Sequence, residues 1–410
     1  MINSLPVTQQ LKTSKITKNP FVTNSSGPNV YVTKGPDAYD NTKRALWAMG
    51  LSGLRGLRVL LKPNIGRSAE PGTAVTTNPQ VIAATIDVFR EAGAMVAIGE
   101  SPIIGVDLEE AYRICGVTKI AQTRKCPLID MDKRPFVERP IPNGKVIETL
   151  QVCADIDDFD VIVSIPVMKM HMHTHVTLSV KNMKGCLWRR SKVKLHMLPP
   201  VEGDDNKPIN IAIADMSSVL RPHLAIIDGS VGMEGMGPSA GRPKELGVVV
   251  VSADPFAADS VACELMGTSA RKAPHLAIAA ERGYGVIDID AITINPSHWR
   301  DWTNPFDRPP NNLEIVFPNI TVLDKNSCSA CQSTLLLFLQ KNANQLPDYF
   351  PDQEHVHIAI GKGHVQVPAK TLCIGNCMLK QKDRGIFVHG CPPVASEILK
   401  ALTDYANNSV

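Results

Sequence analysis

The chain has 410 residues, of which 44% are hydrophobic, so it can bury the core of one large or two ordinary domains. A formal net charge of +3 and an aromatic content of 5% give no indication of a nucleic-acid partner. The polar N-terminal stretch 1–27 has no apolar run, which predicts neither a signal peptide nor a membrane anchor. We therefore expect a cytoplasmic protein that binds neither nucleic acid nor membrane.

Short β-branched runs alternate with helical patterns along most of the chain. The runs are apolar throughout, which is typical of strands that helices cover on both faces of a parallel sheet. These predicted strands span 30–34, 57–63, 94–100, 160–166, 223–229 and 246–254.

The stretch 77–93 is the best-marked helix between these runs. Asn78 is its predicted N-cap, Pro79 occupies the first helical position and Gly93 ends it. The alternation predicts an α/β fold with an open, mainly parallel sheet flanked by helices over residues 28–298, after an N-terminal extension at 1–27. A Pro-rich stretch then leads into a smaller, cysteine-rich α/β unit over residues 299–410.

Polar residues follow several of the predicted strands, where ligands bind in open parallel sheets. The candidate catalytic residues are Lys62, Lys169, His171, His173, His175 and Lys181. The candidate substrate-binding residues are Asn64, Asn182, Glu234, Gly235, Gly237 and Asp254.

The stretch 169–175 places a lysine and three histidines at alternating positions, so an extended backbone would direct all four to one face. Three imidazoles could bind a divalent metal, or could donate protons and anchor an anion without any metal. A third reading is an irregular loop with solvated histidines. The basic run 188–196 follows closely and favours an anionic small-molecule substrate or cofactor.

The segment 234–241 carries three glycines in eight residues, and the N–H groups of such a loop can hold an oxyanion. A tight surface turn explains it equally well. It matches neither the dinucleotide-binding fingerprint nor the P-loop.

Five of the ten cysteines are scattered and fit the role of small buried hydrophobes, whereas the other five lie in the last quarter of the chain. Cys328 and Cys331 form a C-x2-C pair, and Cys391 stands in "GCPP" directly before a predicted helix. This pattern, with Cys377 between, is typical of four thiolates that hold a [4Fe-4S] cluster. Cys373 lies in an apolar run and is the predicted spare. A four-cysteine zinc site and uncoordinated thiols are the alternatives.

The segment "GCPP" followed by a helix resembles the cluster-ligand segment in the small subunits of nickel–iron hydrogenases and in the related complex I subunit. Over residues 58–267 the chain resembles the family called domain of unknown function 362. The resemblance rests on "LLKPNIG", "IPVMKMHMHTHVTLSVKNMKG", "IIDGSVGMEGMGPSAGRP" and "VVVVSADPFAADSVACELMG". It implies an iron–sulfur protein, here without the tandem ferredoxin module of many members, and it implies no particular reaction.

Three functional hypotheses follow from these patterns. The first is an iron–sulfur oxidoreductase or redox accessory protein that acts on an anionic or carbonyl-bearing small molecule, with a possible redox partner protein. The second is a metal-dependent hydrolase or lyase that uses the histidines with Glu234 or Asp254 and keeps a structural zinc site. The third is a non-catalytic electron-transfer or cluster-sensing protein.

Overall fold

A computed structural model describes residues 19–21, 27–309, 317 and 319–408. Most of the predicted extension at 1–27 lies outside these residues, as does part of the predicted linker. The strands in the described part are β1 (Asn29–Lys34), β2 (Arg58–Pro63), β3 (Met95–Glu100), β4 (Leu128–Asp130), β5 (Phe136–Pro140), β6 (Thr149–Cys153), β7 (Val161–Ile165), β8 (Val167–His171), β9 (His175–Thr177), β10 (Leu224–Glu234), β11 (Arg242–Ser252), β12 (Thr293–Asn295), β13 (Ile320–Asp324), β14 (Val356–Ile360), β15 (Thr371–Ile374) and β16 (Gly385–Val388).

The helices connect these strands and cover both faces of the larger sheet. In the same described ranges they are α1 (Ala38–Met49), α2 (Pro79–Glu91), α3 (Leu108–Ile114), α4 (Val117–Thr123), α5 (Ser179–Asn182), α6 (Ser191–Lys194), α7 (Pro208–Ser217), α8 (Pro255–Leu265), α9 (Pro274–Glu281), α10 (Ser329–Asn342) and α11 (Ala395–Asn408).

A ten-stranded sheet forms the body of the protein, with its main path in the order β12-β1-β11-β10-β7-β2-β3-β4. Strands β10, β7, β2, β3 and β4 pair in parallel, so the predicted open, mainly parallel α/β sheet is confirmed. Strand β11 runs antiparallel to both β1 and β10, and β9 runs antiparallel to β8.

The apolar runs are explained by burial on both faces of this sheet. On β11, Val248 and Val250 join one hydrophobic core, while Val249 and Val251 join the core on the other face. All four are fully buried, and each side chain contributes roughly 1.5–3 kcal/mol by leaving water. Neither face can therefore be polar.

The C-terminal unit has its own four-stranded parallel sheet, in the order β13-β14-β15-β16. Helices α10 and α11 pack on it, with Leu335 and Phe338 from α10 and Ile398 and Leu402 from α11 in a separate hydrophobic core. The predicted second, smaller α/β unit is thus confirmed. Its parallel order brings the carboxyl ends of β13, β15 and β16 to the same edge.

Candidate functional site

Lys62, a candidate catalytic residue, is held in a buried ion pair at the end of β2. Its Nζ lies 2.7 Å from Oε2 of Glu100, at the end of β3, and both side chains are 1% exposed. The same Nζ donates to the carbonyl oxygen of Pro63 at 2.6 Å and to Oδ1 of Asn182 at 3.2 Å. Lys62 therefore joins β2, β3 and α5 and has no hydrogen left for a ligand.

Asn182, a candidate substrate-binding residue, is likewise committed to the scaffold. Its Nδ2 donates to the carbonyl of Lys62 at 3.1 Å and to Oγ of Ser164 at 3.0 Å. Gly185 packs directly on this network, because a Cβ there would lie 2.5 Å from both Glu100 Oε1 and Lys62 Cε. A side chain at Gly185 would push the ion pair apart.

Lys169 and Asn64 lie together as predicted, with Lys169 Nζ 2.8 Å from Asn64 Oδ1. The ammonium also donates to the carbonyl of Val75 at 2.6 Å. All its acceptors are neutral, and burial together with the charge of Lys181 lowers the pKa of Lys169 to about 7.

The histidine stretch is not one extended strand, so the condition under which all four side chains would share one face is not met. Strand β8 ends at His171, the chain turns through 172–174, and β9 begins at His175, which pairs in register with His171. Nδ1 of His171 accepts from the N–H groups of His173 at 3.0 Å and Thr174 at 3.3 Å. A polar turn built on an imidazole acceptor therefore replaces the extended run.

The hairpin still keeps His171 and His173 together and sets His175 apart. The His171 and His173 rings lie 5.7 Å apart, centroid to centroid. Nε2 of His175 instead contacts Oγ1 of Thr268 at 2.7 Å, on a different part of the molecule.

The glycine-rich segment is the turn of the β10–β11 hairpin, and β10 extends to Glu234, beyond its predicted end. The N–H of Gly235 donates to the carbonyl of Asp307 and that of Gly237 to the carbonyl of Gly235, so neither is available to an oxyanion. Glu234 forms ion pairs with Arg242 and Lys244, each at 3.2 Å. These three candidate residues stabilise the hairpin.

Asp254 lies elsewhere because β11 is antiparallel to its neighbour β10. The end of β11 therefore lies beside the start of β10, where Asp254 forms an ion pair with Arg221 at 3.1 Å. Its carboxylate also caps α8, accepting from the N–H of Phe256 at 2.8 Å. The expectation that Asp254 shares the carboxyl-end edge is wrong.

Lys181 is the centre of a second, different group of residues, which we call the Lys181 cluster. It contains two lysines and four histidines from β8, its turn, α5 and the segments around α6 and α9. These residues are Lys181, Lys184, His171, His173, His196 and His275.

The sequence patterns single out only Lys181, His171 and His173 of this cluster. His196 lies in the basic run 188–196, and none of these patterns points to Lys184 or His275. His275 carried a usable signal, since it is a histidine in the otherwise apolar first turn of α9 and is fully buried.

The charges of the cluster have no acidic counterpart in the described ranges. Lys181 is 9% exposed and its Nζ contacts only Oγ1 of Thr177, at 3.3 Å. Burial lowers the pKa of Lys181 to about 7. Burial, followed by the charge of Lys181, lowers the pKa of His275 to about 3.

The imidazoles are neutral for the same reason. Burial and then the charges of Lys207 and Lys181 lower the pKa of His173 to about 3, and its buried Nδ1 has no hydrogen-bond partner. Burial and the charge of Lys181 also hold the pKa of His171 well below its usual range. The cluster therefore offers lysine N–H donors and uncharged imidazoles.

The four predicted ligand cysteines lie in three segments at one edge of the small sheet, which we call the cysteine loops and which include the first turn of α10 with Cys331. Cys328 and Cys331 follow β13, Cys377 follows β15 and Cys391 follows β16. The last two loops are tied together, since Asn376 N–H donates to the carbonyl of Gly390 at 2.8 Å. Parallel pairing of the strands thus brings distant segments of the sequence to one place.

Close approach and mutual electrostatics connect these thiols. Gly375 has φ 92°, and a Cβ there would lie 3.4 Å from Sγ of Cys331. A hydrogen bond from the Cys331 thiol lowers the pKa of Cys328 to about 6. Burial and then the charges of Cys328 and Cys377 raise the pKa of Cys391.

A set of four thiols at one edge suits a four-cysteine cofactor in donor chemistry and in chain placement. In the described ranges, however, no group of three or more His, Cys, Asp or Glu side chains is arranged with metal-ligand geometry. The [4Fe-4S] cluster that the cysteine pattern predicts is therefore a proposal.

Cys373 differs from the four other C-terminal cysteines. It lies inside β15, is fully buried, and its Sγ contacts the carbonyl of Gln381 at 3.8 Å. Burial raises the pKa of Cys373 to about 11. The five scattered cysteines, which are Cys115, Cys126, Cys153, Cys186 and Cys263, are buried as well.

The cysteine loops lie directly against the Lys181 cluster. His196 contacts Lys184 through Nε2, and its Nδ1 lies 2.5 Å from Oγ of Ser329, next to Cys328. Nε2 of His173 lies 3.3 Å from Oγ of Ser333, one helical turn further along α10.

A second contact reaches Cys391 from the segment around α6. Nη2 of Arg190 donates to the carbonyl of Cys391 at 3.3 Å, and Sδ of Met197 lies 3.8 Å from its Sγ. The candidate cofactor site and the Lys181 cluster are therefore in contact through the segment around α6.

These features define an α/β protein with a buried cationic cluster beside a cysteine-rich unit. The chain belongs to the family described as "Domain of unknown function (DUF362)", whose match covers residues 59–264. It is 30% identical over 246 residues to the "Thylakoid-associated protein sll1697" of Synechocystis sp. (strain ATCC 27184 / PCC 6803 / Kazusa), an alignment covering 60% of this chain and 74% of the relative. In the described part of the chain, none of the helices is long and apolar enough to span a bilayer.

Proposed function

We propose that this protein is a [4Fe-4S] redox protein, an oxidoreductase or its accessory, that acts on an anionic or carbonyl-bearing small molecule. The observation that carries the proposal is the contact between His196 and Ser329, which joins the Lys181 cluster to the cysteine loops. A small molecule bound at the Lys181 cluster would lie next to the [4Fe-4S] cofactor, as electron transfer requires.

Cys328, Cys331, Cys377 and Cys391 would hold the cofactor, because they are the thiols at the carboxyl-end edge of the small sheet. When bound, such a cluster supplies one-electron transfer. Gly375, whose φ of 92° suits glycine, turns the chain from β15 toward Cys377.

Lys181 and Lys184 would bind the small molecule, while His171 would hold a proton. Nδ1 of His171 accepts two backbone N–H groups, so the neutral ring carries its proton on Nε2. Nε2–H is then a donor whose position is fixed by the β8–β9 turn.

The hydrolase or lyase alternative assigned its acid–base chemistry to Glu234 or Asp254. Glu234 is engaged by Arg242 and Lys244, and Asp254 by Arg221 and the first turn of α8. No observation among the described residues favours either carboxylate for that role.

We further propose that the protein works in the cytoplasm and exchanges electrons with a partner protein. Reduced thiols persist in that compartment. Cys377 is exposed and Cys391 partly exposed, so a partner can approach the proposed cofactor from outside. The Synechocystis relative is named a thylakoid-associated protein, so the thylakoid is a second location to examine.

The test is metal and sulfide analysis of protein purified without oxygen, with electron paramagnetic resonance after dithionite reduction. We expect iron and sulfide in equal amounts and a signal in the reduced protein. Cys391→Ser and Cys328→Ser should each abolish the signal. Cys126→Ser, which changes a buried thiol outside the C-terminal unit, should retain it. Zinc in place of iron, or iron unaffected by both substitutions, would contradict the proposal.

A further inference from the structure

Lys181 is buried without the counter-charge that a buried ammonium normally has. Its Nζ uses one donor, toward Oγ1 of Thr177, and it forms no ion pair with any residue in the described ranges. By contrast, Lys62 is also buried but is paired with Glu100. Buried lysines are rare unless paired, so the difference between Lys62 and Lys181 requires an explanation.

The lysines around Lys181 add to the positive potential. Lys184 and Lys169 act on it from the chain after α5 and from β8, and four neutral histidines lie around it at the end of β8, in the β8–β9 turn, after α6 and on α9. Asp228 is the acid that faces Lys169, and it also accepts from Asn78 N–H and from Ser230. No acid in the described ranges contacts Lys181 or Lys184.

The lysines and His171 of this cluster carry unused donors, and one imidazole nitrogen has no partner. Nδ1 of His173 has no hydrogen-bond partner, and the residue is only 7% exposed. Nζ of Lys181 has two further hydrogens, and Nε2–H of His171 is available in the tautomer that the β8–β9 turn fixes. Converging lysine donors without any arginine suit an oxyanion that accepts from several directions.

We propose that the Lys181 cluster binds a doubly charged oxyanion, either a phosphate group or a dicarboxylate, that supplies the missing counter-charge. This inference rests on the proposed function only in that it names the ligand class of the same site. Lys181 is its central anchor, Lys184 is the second cation, and His171 and His173 complete the polar lining.

Calorimetric titration of the full-length protein as purified, with inorganic phosphate and separately with succinate, tests this inference. One of the two anions should bind with saturation at constant ionic strength, and chloride should not. The anion that binds more tightly shows whether the ligand is a phosphate or a dicarboxylate. Failure of both anions to bind or to raise the Tm of the wild-type protein would overturn the inference.

Two variants assign the binding to this site. Lys181→Met should weaken binding of the better anion at least tenfold, because it removes the central cation and keeps the side-chain length. Lys133→Met makes the same charge change on a side chain that is 77% exposed and should bind as the wild type does. Equal binding by Lys181→Met and wild type would also overturn the inference.

Iron analysis of the same samples separates this inference from the proposed function. Lys181→Met should keep its iron and sulfide, since Lys181 is not among the cysteine loops. Anion binding by a protein without iron would contradict the redox proposal alone. Iron without anion binding would contradict the ligand class alone.

Discussion

Nζ of Lys62 lies 2.7 Å from Oε2 of Glu100, and the two side chains are each 1% exposed. Oε2 of Glu100 also accepts from the N–H of Ile65 at 3.0 Å. The pair therefore fixes the carboxyl ends of β2 and β3 and the chain that follows β2. These contacts indicate a structural role for Lys62, although its residue type and position at a strand end predict catalysis.

Lys62→Met should destabilise the protein by about 3–5 kcal/mol, because it leaves the Glu100 carboxylate buried without its partner. The double variant Lys62→Met/Glu100→Met should lose less than the sum of the two single changes. Urea unfolding of all four proteins gives the coupling free energy. A Lys62→Met protein as stable as wild type would contradict a structural role.

Lys181→Met should stabilise the protein at pH 7, by an amount on the order of a few kcal/mol. Burial lowers the pKa of Lys181 to about 7 from 10.5, so the unfolded chain binds a proton that the folded protein loses between these values. Wild-type stability should therefore rise with pH from 7 to 10, relative to the variant.

The measurement is urea unfolding of wild type and Lys181→Met at several pH values, without added oxyanion. The difference in stability should be largest near pH 7 and should shrink toward pH 10. Lys133→Met, with its exposed side chain, should follow the wild-type curve. A destabilised Lys181→Met protein at pH 7 would mean that the lysine already has a counter-charge.

The parts of the fold fixed by neighbouring residues could be predicted from sequence. Helix α2 begins at Pro79 because Oδ1 of Asn78 accepts from the N–H of Gln80 at 2.9 Å, and it ends before Gly93, whose φ is 87°. These are contacts over a few residues. The direction of β11 depends instead on pairing with β1 and β10, and nothing within its own sequence specifies it.

The residues of the candidate site show the same difference between contacts that sequence predicts and contacts that depend on long-range packing. The candidates Lys169 and Asn64 meet because both follow neighbouring parallel segments, as the strand-end argument requires. The contact between His196 and Ser329 joins residues 133 positions apart and depends on how the two units pack. A run of basic residues in sequence gave no indication that His196 faces the cysteine loops.

Asp259→Ala should cost about 2–4 kcal/mol, because three donors at the start of α5 lose their acceptor. Oδ1 of Asp259 accepts from the N–H of Ser179 at 2.8 Å and from its Oγ at 2.5 Å, and Oδ2 accepts from the N–H of Val180 at 3.1 Å. The change should also weaken oxyanion binding, since Lys181 follows Val180 on α5.

Thermal unfolding and calorimetry measure the two effects of Asp259→Ala. Asp259→Asn is the matched control, because the amide keeps an oxygen acceptor of the same shape, and it should lose less stability than Asp259→Ala. Equal losses in the two variants would show that both carboxylate oxygens are needed, because the amide replaces one acceptor with an N–H donor.

Replacing Cys373 in β15 and Cys377 just after it, one at a time, tests which of them is a ligand. Cys373→Ala should lose roughly 1 kcal/mol of stability, because it removes a fully buried sulfur, and it should keep its iron and sulfide. Cys377→Ala should lose the iron with little change in the stability of the iron-free protein, because its side chain is exposed. Iron per chain and urea unfolding of the iron-free forms measure both effects. Iron retained in Cys377→Ala and lost from Cys373→Ala would move the fourth ligand into the strand, where the sulfur now packs against the chain near Gln381.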